Sequence, residues 1–147
     1  MTMKWSVFFL VCVVVTAAAF TAEAQSDITI DDASGWTIGR IRANGDVENA
    51  SGWTIGHVRD NGTVENASGW TIGRIRDNGT VEDASGRTIG RIRENGTVEN
   101  ASGSTIGRID SSSIDNSSGL TALRYSGDTD YTRLGAYLFF FNKVLLK

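Results

Sequence analysis

Few side chains in this sequence could do chemistry, and nearly all of them recur. The exception is the single histidine, His57. Its slot is filled by Arg40, Arg74, Arg91 and Arg108 elsewhere, so it reads as an outer, solvated position rather than a general base. No nucleophile stands at a spacing that would pair with it. Carboxylates recur as Asp60, Asp77 and Glu94 in one series and Glu65, Glu82 and Glu99 in another. A calcium loop concentrates several oxygen ligands in one short segment. Here each turn brings one carboxylate and a facing arginine, so charge pairing is the more economical reading, and no metal or cofactor is expected. Two carboxylates alone can hydrolyse a glycoside, but the series singles out no pair. The chain is expected not to be an enzyme.

The recurring aromatics are more suggestive. Trp36, Trp53 and Trp70 each follow an Ala-Ser-Gly turn in three successive units. They either cap the hairpin ends or form a row that stacks on sugar rings or meets a protein surface. Arg87, Ser104 and Leu120 hold the same slot later, so the core does not require tryptophan there. Asn61, Asn78 and Asn95, with Asn49, Asn66 and Asn100, match the glycosylation acceptor pattern. Their role as turn residues already accounts for all six.

The elements that carry these residues follow from a repeat. Ala-Ser-Gly recurs every 17 residues from Ala33 to Gly103, and Ser117-Ser118-Gly119 is a degenerate sixth copy. The repeats run 36–52, 53–69, 70–86, 87–103 and 104–119, after a leading half-unit at Ile28–Asp32. Each unit reads as two short strands and two tight turns, because Ile, Val, Thr and Trp alternate with Asn-Gly or Ser-Gly. Three-residue turns with a left-handed glycine pair Ile41 with Val47 and Val47 with Ile55. The same register sets Arg40 opposite Glu48, and likewise His57–Glu65, Arg74–Glu82, Arg91–Glu99 and Arg108–Asp115. Gly39 and its equivalents, Gly56, Gly73, Gly90 and Gly107, sit inside a strand and predict a bulge that turns Ile38 and Ile41 inward together. The Asn-Gly glycines, by contrast, need only a left-handed turn, and alanine there should cost on the order of 1 kcal/mol.

A unit of this size cannot bury a core alone, so the units must share one. The hairpins either stack as a linear β-solenoid or radiate around an axis and close. The half-unit in front and the degenerate copy behind favour closure, because one completes the other. The fold class is therefore all-β, with antiparallel hairpins closed around a single hydrophobic core. Residues 134–146, apolar almost throughout, read as a buried closing strand or plug, too short to span a bilayer as a helix.

The repeated Gly-x-x-Ile-Gly-x-Ile-x-x-Asn-Gly-x-Val-x-Asn/Asp pattern resembles the β-flower proteins over residues 28–125, and the apolar tail is similar to that family's ending. The resemblance implies short hairpin petals around a hydrophobic centre, of the five-fold type by the five full copies. It supplies no catalytic residues. Leu123, standing where the repeat glycine belongs, and the shortened turn at Asp110–Ser113 depart from the pattern.

Residues 1–24 read as a secretory leader: Lys4, an apolar run from Trp5 to Phe20, and Ala22-Glu23-Ala24 before Gln25. The mature domain, 25–147, is then extracytoplasmic, free of cysteine and so indifferent to redox compartment. Fourteen basic residues against 17 acidic, net −3, exclude a basic nucleic-acid arm and give no electrostatic case for an anionic membrane. Insertion of the mature chain into a membrane is not expected. The function read from these features is an exported, non-enzymatic structural or binding module with a glycan or protein surface as partner. The alternative is a carbohydrate-binding module using Trp36, Trp53 and Trp70.

Overall fold

The computed structural model describes residues 24–147. The leader expected at 1–24 falls, but for Ala24, outside the described residues. Twelve short strands alternate with tight turns: β1 (Ile28–Asp32), β2 (Thr37–Ile41), β3 (Asp46–Asn49), β4 (Thr54–Val58), β5 (Thr63–Asn66), β6 (Thr71–Ile75), β7 (Thr80–Asp83), β8 (Thr88–Ile92), β9 (Thr97–Asn100), β10 (Thr105–Ile109), β11 (Ser113–Asn116) and β12 (Thr121–Ser126). Every strand pairs antiparallel with its sequence neighbours, and β1 pairs with β12, so the sheet closes into a barrel. Closure removes the exposed edges that a linear solenoid would leave, and the solenoid alternative is discarded. Six hairpins form the ring, the half-unit β1 completing it as expected.

Alternate turns lie at opposite ends of the barrel. At one end are the Ala-Ser-Gly turns, at the other the Asn-Gly turns. Both kinds are three-residue loops. Gly35 N–H donates to the Asp32 carbonyl at 3.0 Å, and Gly45 N–H to Arg42 at 2.9 Å, with both glycines at positive φ. This type I turn with a left-handed glycine fixes the register, and Ile41 pairs with Val47 as predicted.

Two register expectations need correction. Val47 lies opposite Gly56, not Ile55, because the bulge falls one residue earlier, at Ile55 and its equivalents. The interior face therefore reads Gly39 and Ile41 on β2, while Ile38 is bulged and half-buried. Arg40 and Glu48 do sit opposite each other, but Glu48 ion-pairs with Arg42 at 2.9 Å. Glu65, Glu82 and Glu99 do the same with Arg59, Arg76 and Arg93, at 2.6–2.7 Å. Arg42 is the diagonal neighbour on the same face, within reach of a long side chain. Arg108, opposite Asp115, turns instead to Asp110 at 3.2 Å.

The tail is a plug, but a helical one; the strand alternative is overturned. Helix α1 (Tyr131–Ala136) starts at Asp130, whose carboxylate accepts from the backbone N–H of Thr132 and Arg133, an N-cap that satisfies two otherwise orphaned donors. A π-helical turn, Tyr137–Phe141, follows, closed by Asn142 N–H on the Tyr137 carbonyl at 2.7 Å, and a 3-10 turn at Val144–Leu146 ends the segment. An apolar run with no clear period does not distinguish strand from helix. Once the ring has paired all its strands, no sheet edge is left for a thirteenth, and a helix is the form that satisfies its own backbone.

The plug explains the strand glycines. A side chain on Gly39 would meet Tyr137, on Gly56 Phe141, on Gly73 Phe140, on Gly90 Phe139 and on Gly107 Leu145. Each glycine is a seat for one side chain of the plug. Phe139, Phe140 and Phe141 take three adjacent hairpins in turn. An α-helix advances about 100° per residue, whereas the wider π turn advances less and keeps successive rings on neighbouring seats. Around and above them Ile41, Val47, Val64, Val81, Val98 and Ile114 are all fully buried.

The turn glycines split into two kinds. Those of the Ala-Ser-Gly end have open space where a Cβ would be. Gly62, Gly79 and Gly96 instead face the backbone carbonyls of Ile75, Ile92 and Ile109 on the next hairpin. The expectation that an Asn-Gly glycine needs only a left-handed turn is thus incomplete: it also lies against its neighbour's main chain.

Candidate functional site

The site builds up from the Ala-Ser-Gly turns. In each, the Asp or Asn before the turn clamps it through its side chain. Asp32 Oδ1 accepts from Ser34 N–H at 2.8 Å and Trp36 N–H at 3.0 Å. Asn49 and Asn66 hold Ser51 with Trp53, and Ser68 with Trp70, all at 3.0 Å. This Asx geometry fixes the main chain from which each tryptophan projects, leaving the indole free. Trp36, Trp53 and Trp70 are 75%, 73% and 74% exposed. At this exposure they cover little of the hairpin ends.

Ring closure adds a residue that the sequence left apart. The tips carry, in order, Trp36, Trp53, Trp70, Arg87, Ser104 and Leu120, and β12 pairs with β1. Leu120, the last in sequence, therefore neighbours Trp36, the first. It is 67% exposed. Four adjacent tips of six are apolar and exposed, and the other two hold Arg87 and Ser104. All six tips share one turn geometry, since Asn116 clamps Ser118 and Leu120 as the others do. The signal for Leu120 was the slot it occupies; its meaning needed the ring.

The other candidates lie elsewhere. His57 is half-buried on the outer wall, directly opposite Asp46, and its Nδ1 lies 2.9 Å from Asp46 Oδ1. The other units pair Thr63 with Arg74 and Thr80 with Arg91 at this place, so the acid and the histidine replace a threonine and an arginine together. The His57 hydrogen bond, followed by that of Asn44, holds the Asp46 carboxyl below its usual range. Among the described residues no hydroxyl hydrogen-bonds to the imidazole. Glu65 is held below the usual carboxylate range by the hydrogen bond from Arg59, and both carboxylate series stay on the wall or at the Asn-Gly end. None of these groups meets the tryptophans.

The plug fills the barrel interior, where Leu134, Ala136, Tyr137, Leu138 and Phe139 join the buried core. At the Asn-Gly end the cleft between Ile75, Asn78, Ile92 and Tyr131 holds about 90 Å³, and wider, more open hollows beside Asn61 and Asp77 and beside Asn78 and Glu94 hold about 340 and 360 Å³. Arg133 closes this end. It is almost fully buried, donating to the carbonyls of Ser26 at 3.0 Å and Arg42 at 3.3 Å and to Asp130 at 3.0 Å.

A closed ring of short antiparallel hairpins, filled by its own C-terminal segment and displaying its turns at two faces, defines a structural β-repeat protein. A family model described as the 5-fold beta-flower protein matches residues 27–142. The chain belongs to the 5-fold β-flower family. Its ring here counts six hairpins, five with a glycine seat and the sixth with Leu123. No curated protein and no solved structure matches the chain.

Proposed function

We propose that this chain is an exported, non-enzymatic binding module whose working face is the crown of Trp36, Trp53 and Trp70. The carrying observation is that three indoles stand about three-quarters exposed on turns whose main chain is clamped identically. Exposed large aromatics on a rigid scaffold make contact area at low entropic cost. Repetition suits a polymeric or multivalent surface, since linked weak contacts add through effective concentration. The module performs no turnover: the carboxylates at the crown, Asp32 and Asp83, are taken up by the turns they clamp. The leader at 1–24 accounts for export, and the exported chain should begin at Gln25; mass spectrometry that found 1–24 retained would refute it.

The binding test uses residues 25–147 and the Trp36→Ala, Trp53→Ala, Trp70→Ala triple variant on cellulose, chitin and phosphatidylcholine vesicles. Retention of the wild type on at least one of these, lost in the folded triple variant, is the expected result. Equal retention of both, or of neither, overturns the crown as a binding face. Sugar release from a polymer, abolished by one carboxylate substitution, would overturn the non-enzymatic reading.

A further inference from the structure

We propose that the crown docks onto a zwitterionic lipid surface, with Trp36, Trp53, Trp70 and Leu120 entering the headgroup region. This rests on the crown being a binding face and names its partner. The fourth tip decides the chemistry. Leu120 extends the apolar arc next to Trp36, and a leucine adds area that a lipid interface absorbs while offering a sugar neither a ring to stack on nor a hydrogen bond. Indoles, apolar with one N–H donor, settle at the headgroup level.

Two residues after each of the first five tips an isoleucine (Ile38, Ile55, Ile72, Ile89 and Ile106) packs on the core and is only half-buried. The six tips share one clamped turn, so the four apolar ones project from equivalent places on the ring. Charge selects the kind of lipid. Of the residues that build the four apolar tips only Asp32 is charged, its carboxylate taken up by the Ser34 and Trp36 N–H groups, and Arg87, next to Trp70, is already paired with Asp83 at 3.1 Å. A net charge of −3 draws the chain to no anionic leaflet. Among the described residues no helix is long and apolar enough to cross a membrane, so the contact is interfacial docking rather than a helical span.

All the described strands, the plug and the core lie within 25–147, so this part is the one to test. Co-flotation with phosphatidylcholine vesicles is compared with vesicles enriched in phosphatidylserine, and with cellulose and chitin pull-downs. Burying about 60 Å² of apolar surface suffices for a tenfold change in partition. Trp53→Ala should therefore weaken flotation roughly tenfold, and Leu120→Ser several-fold. Ser104→Leu, which lengthens the arc, should strengthen it, whereas Asp77→Leu at the opposite end should not. Phosphatidylserine should bring no gain. Thermal unfolding confirms that each variant is folded, as these side chains are exposed. Absence of vesicle binding, or vesicle binding indifferent to Leu120→Ser and Ser104→Leu, overturns the lipid proposal. Binding to cellulose or chitin that needs the tryptophans but not Leu120 overturns it too, and leaves the crown standing as a glycan-binding face. No binding to any probe sinks both.

Discussion

Gly79 and Gly86 provide a controlled comparison. Both are turn glycines with almost the same backbone, φ +80° and +82°, so an alanine at either incurs the same left-handed penalty, about 1–2 kcal/mol. They differ in surroundings. A Cβ on Gly86 meets open space, whereas one on Gly79 runs into the main-chain carbonyl of Ile92. The Gly79 carbonyl also accepts from Ile92 N–H at 2.8 Å, so moving the turn away stretches a hydrogen bond between hairpins. Overpacking costs about 1–3 kcal/mol and the hydrogen bond about 0.5–1.5 kcal/mol. Gly79→Ala should therefore lose about 2–4 kcal/mol more than Gly86→Ala. With a urea slope of about 1–3 kcal/mol per molar, the denaturation midpoints should separate by about 1–2 M. Midpoints within about 0.3 M of each other would refute the claim that Asn-Gly turns are pressed against the next petal.

Three further outcomes follow from the same contacts. Arg133→Met takes the side-chain donors from the buried Ser26 carbonyl and the ion pair from Asp130, while the Arg42 carbonyl keeps Gly45 N–H and Asp130 keeps its helix N–H donors; a loss of about 3 kcal/mol is expected in thermal or denaturant unfolding. Asp27, Asp46, Glu65, Asp83 and Asp128 all have carboxyls held below their usual range by hydrogen bonds, from Ala43, His57, Arg59, Ser85 and Ser26 respectively. Their contribution is complete above the unfolded values near pH 4 and is lost as pH falls through the lower folded ones, so the urea midpoint should be flat near neutrality and drop below about pH 4. A chain ending at Ala136 leaves the five seats empty and the ring's interior open to water; it should bind a hydrophobic dye and lose cooperative unfolding, and a sharp native-like transition would contradict the plug.

Much of the ring was legible because the same 17-residue statement is made several times. Ala-Ser-Gly and Asn-Gly fix turn length and glycine placement, turn length fixes register, and Ile41 meets Val47 as a result. The half-unit Ile28–Asp32 announced closure. Other features failed to show because they are decided across the ring rather than along it. The bulge at Ile38 instead of Gly39, and Glu48 choosing Arg42 over Arg40, each depend on what lies one place further round. The form of LGAYLFFFNKVLL depended on there being no free edge left to join. Leu120 shares its slot with the tryptophans, yet only the β1–β12 pairing makes it a neighbour of Trp36.

Leu123 shows how ring and plug are matched. The plug delivers Tyr137, Phe141, Phe140, Phe139 and Leu145 to five seats, each kept empty by a glycine. The sixth hairpin receives none of these five. There the strand itself carries Leu123, 2% exposed and opposite Ile114, where the other units set a glycine opposite a valine or, at Gly39, an isoleucine. Read along the sequence, Leu123 is a defect in the repeat. Read round the barrel, it supplies from the wall the volume that the plug supplies elsewhere from the centre. Interiors pack to near-crystalline density, so a glycine here would leave a cavity and a leucine at any other seat would collide with a side chain of the plug. The irregularity of the last unit is thus the counterpart of an asymmetric helix seated in a nearly symmetric ring.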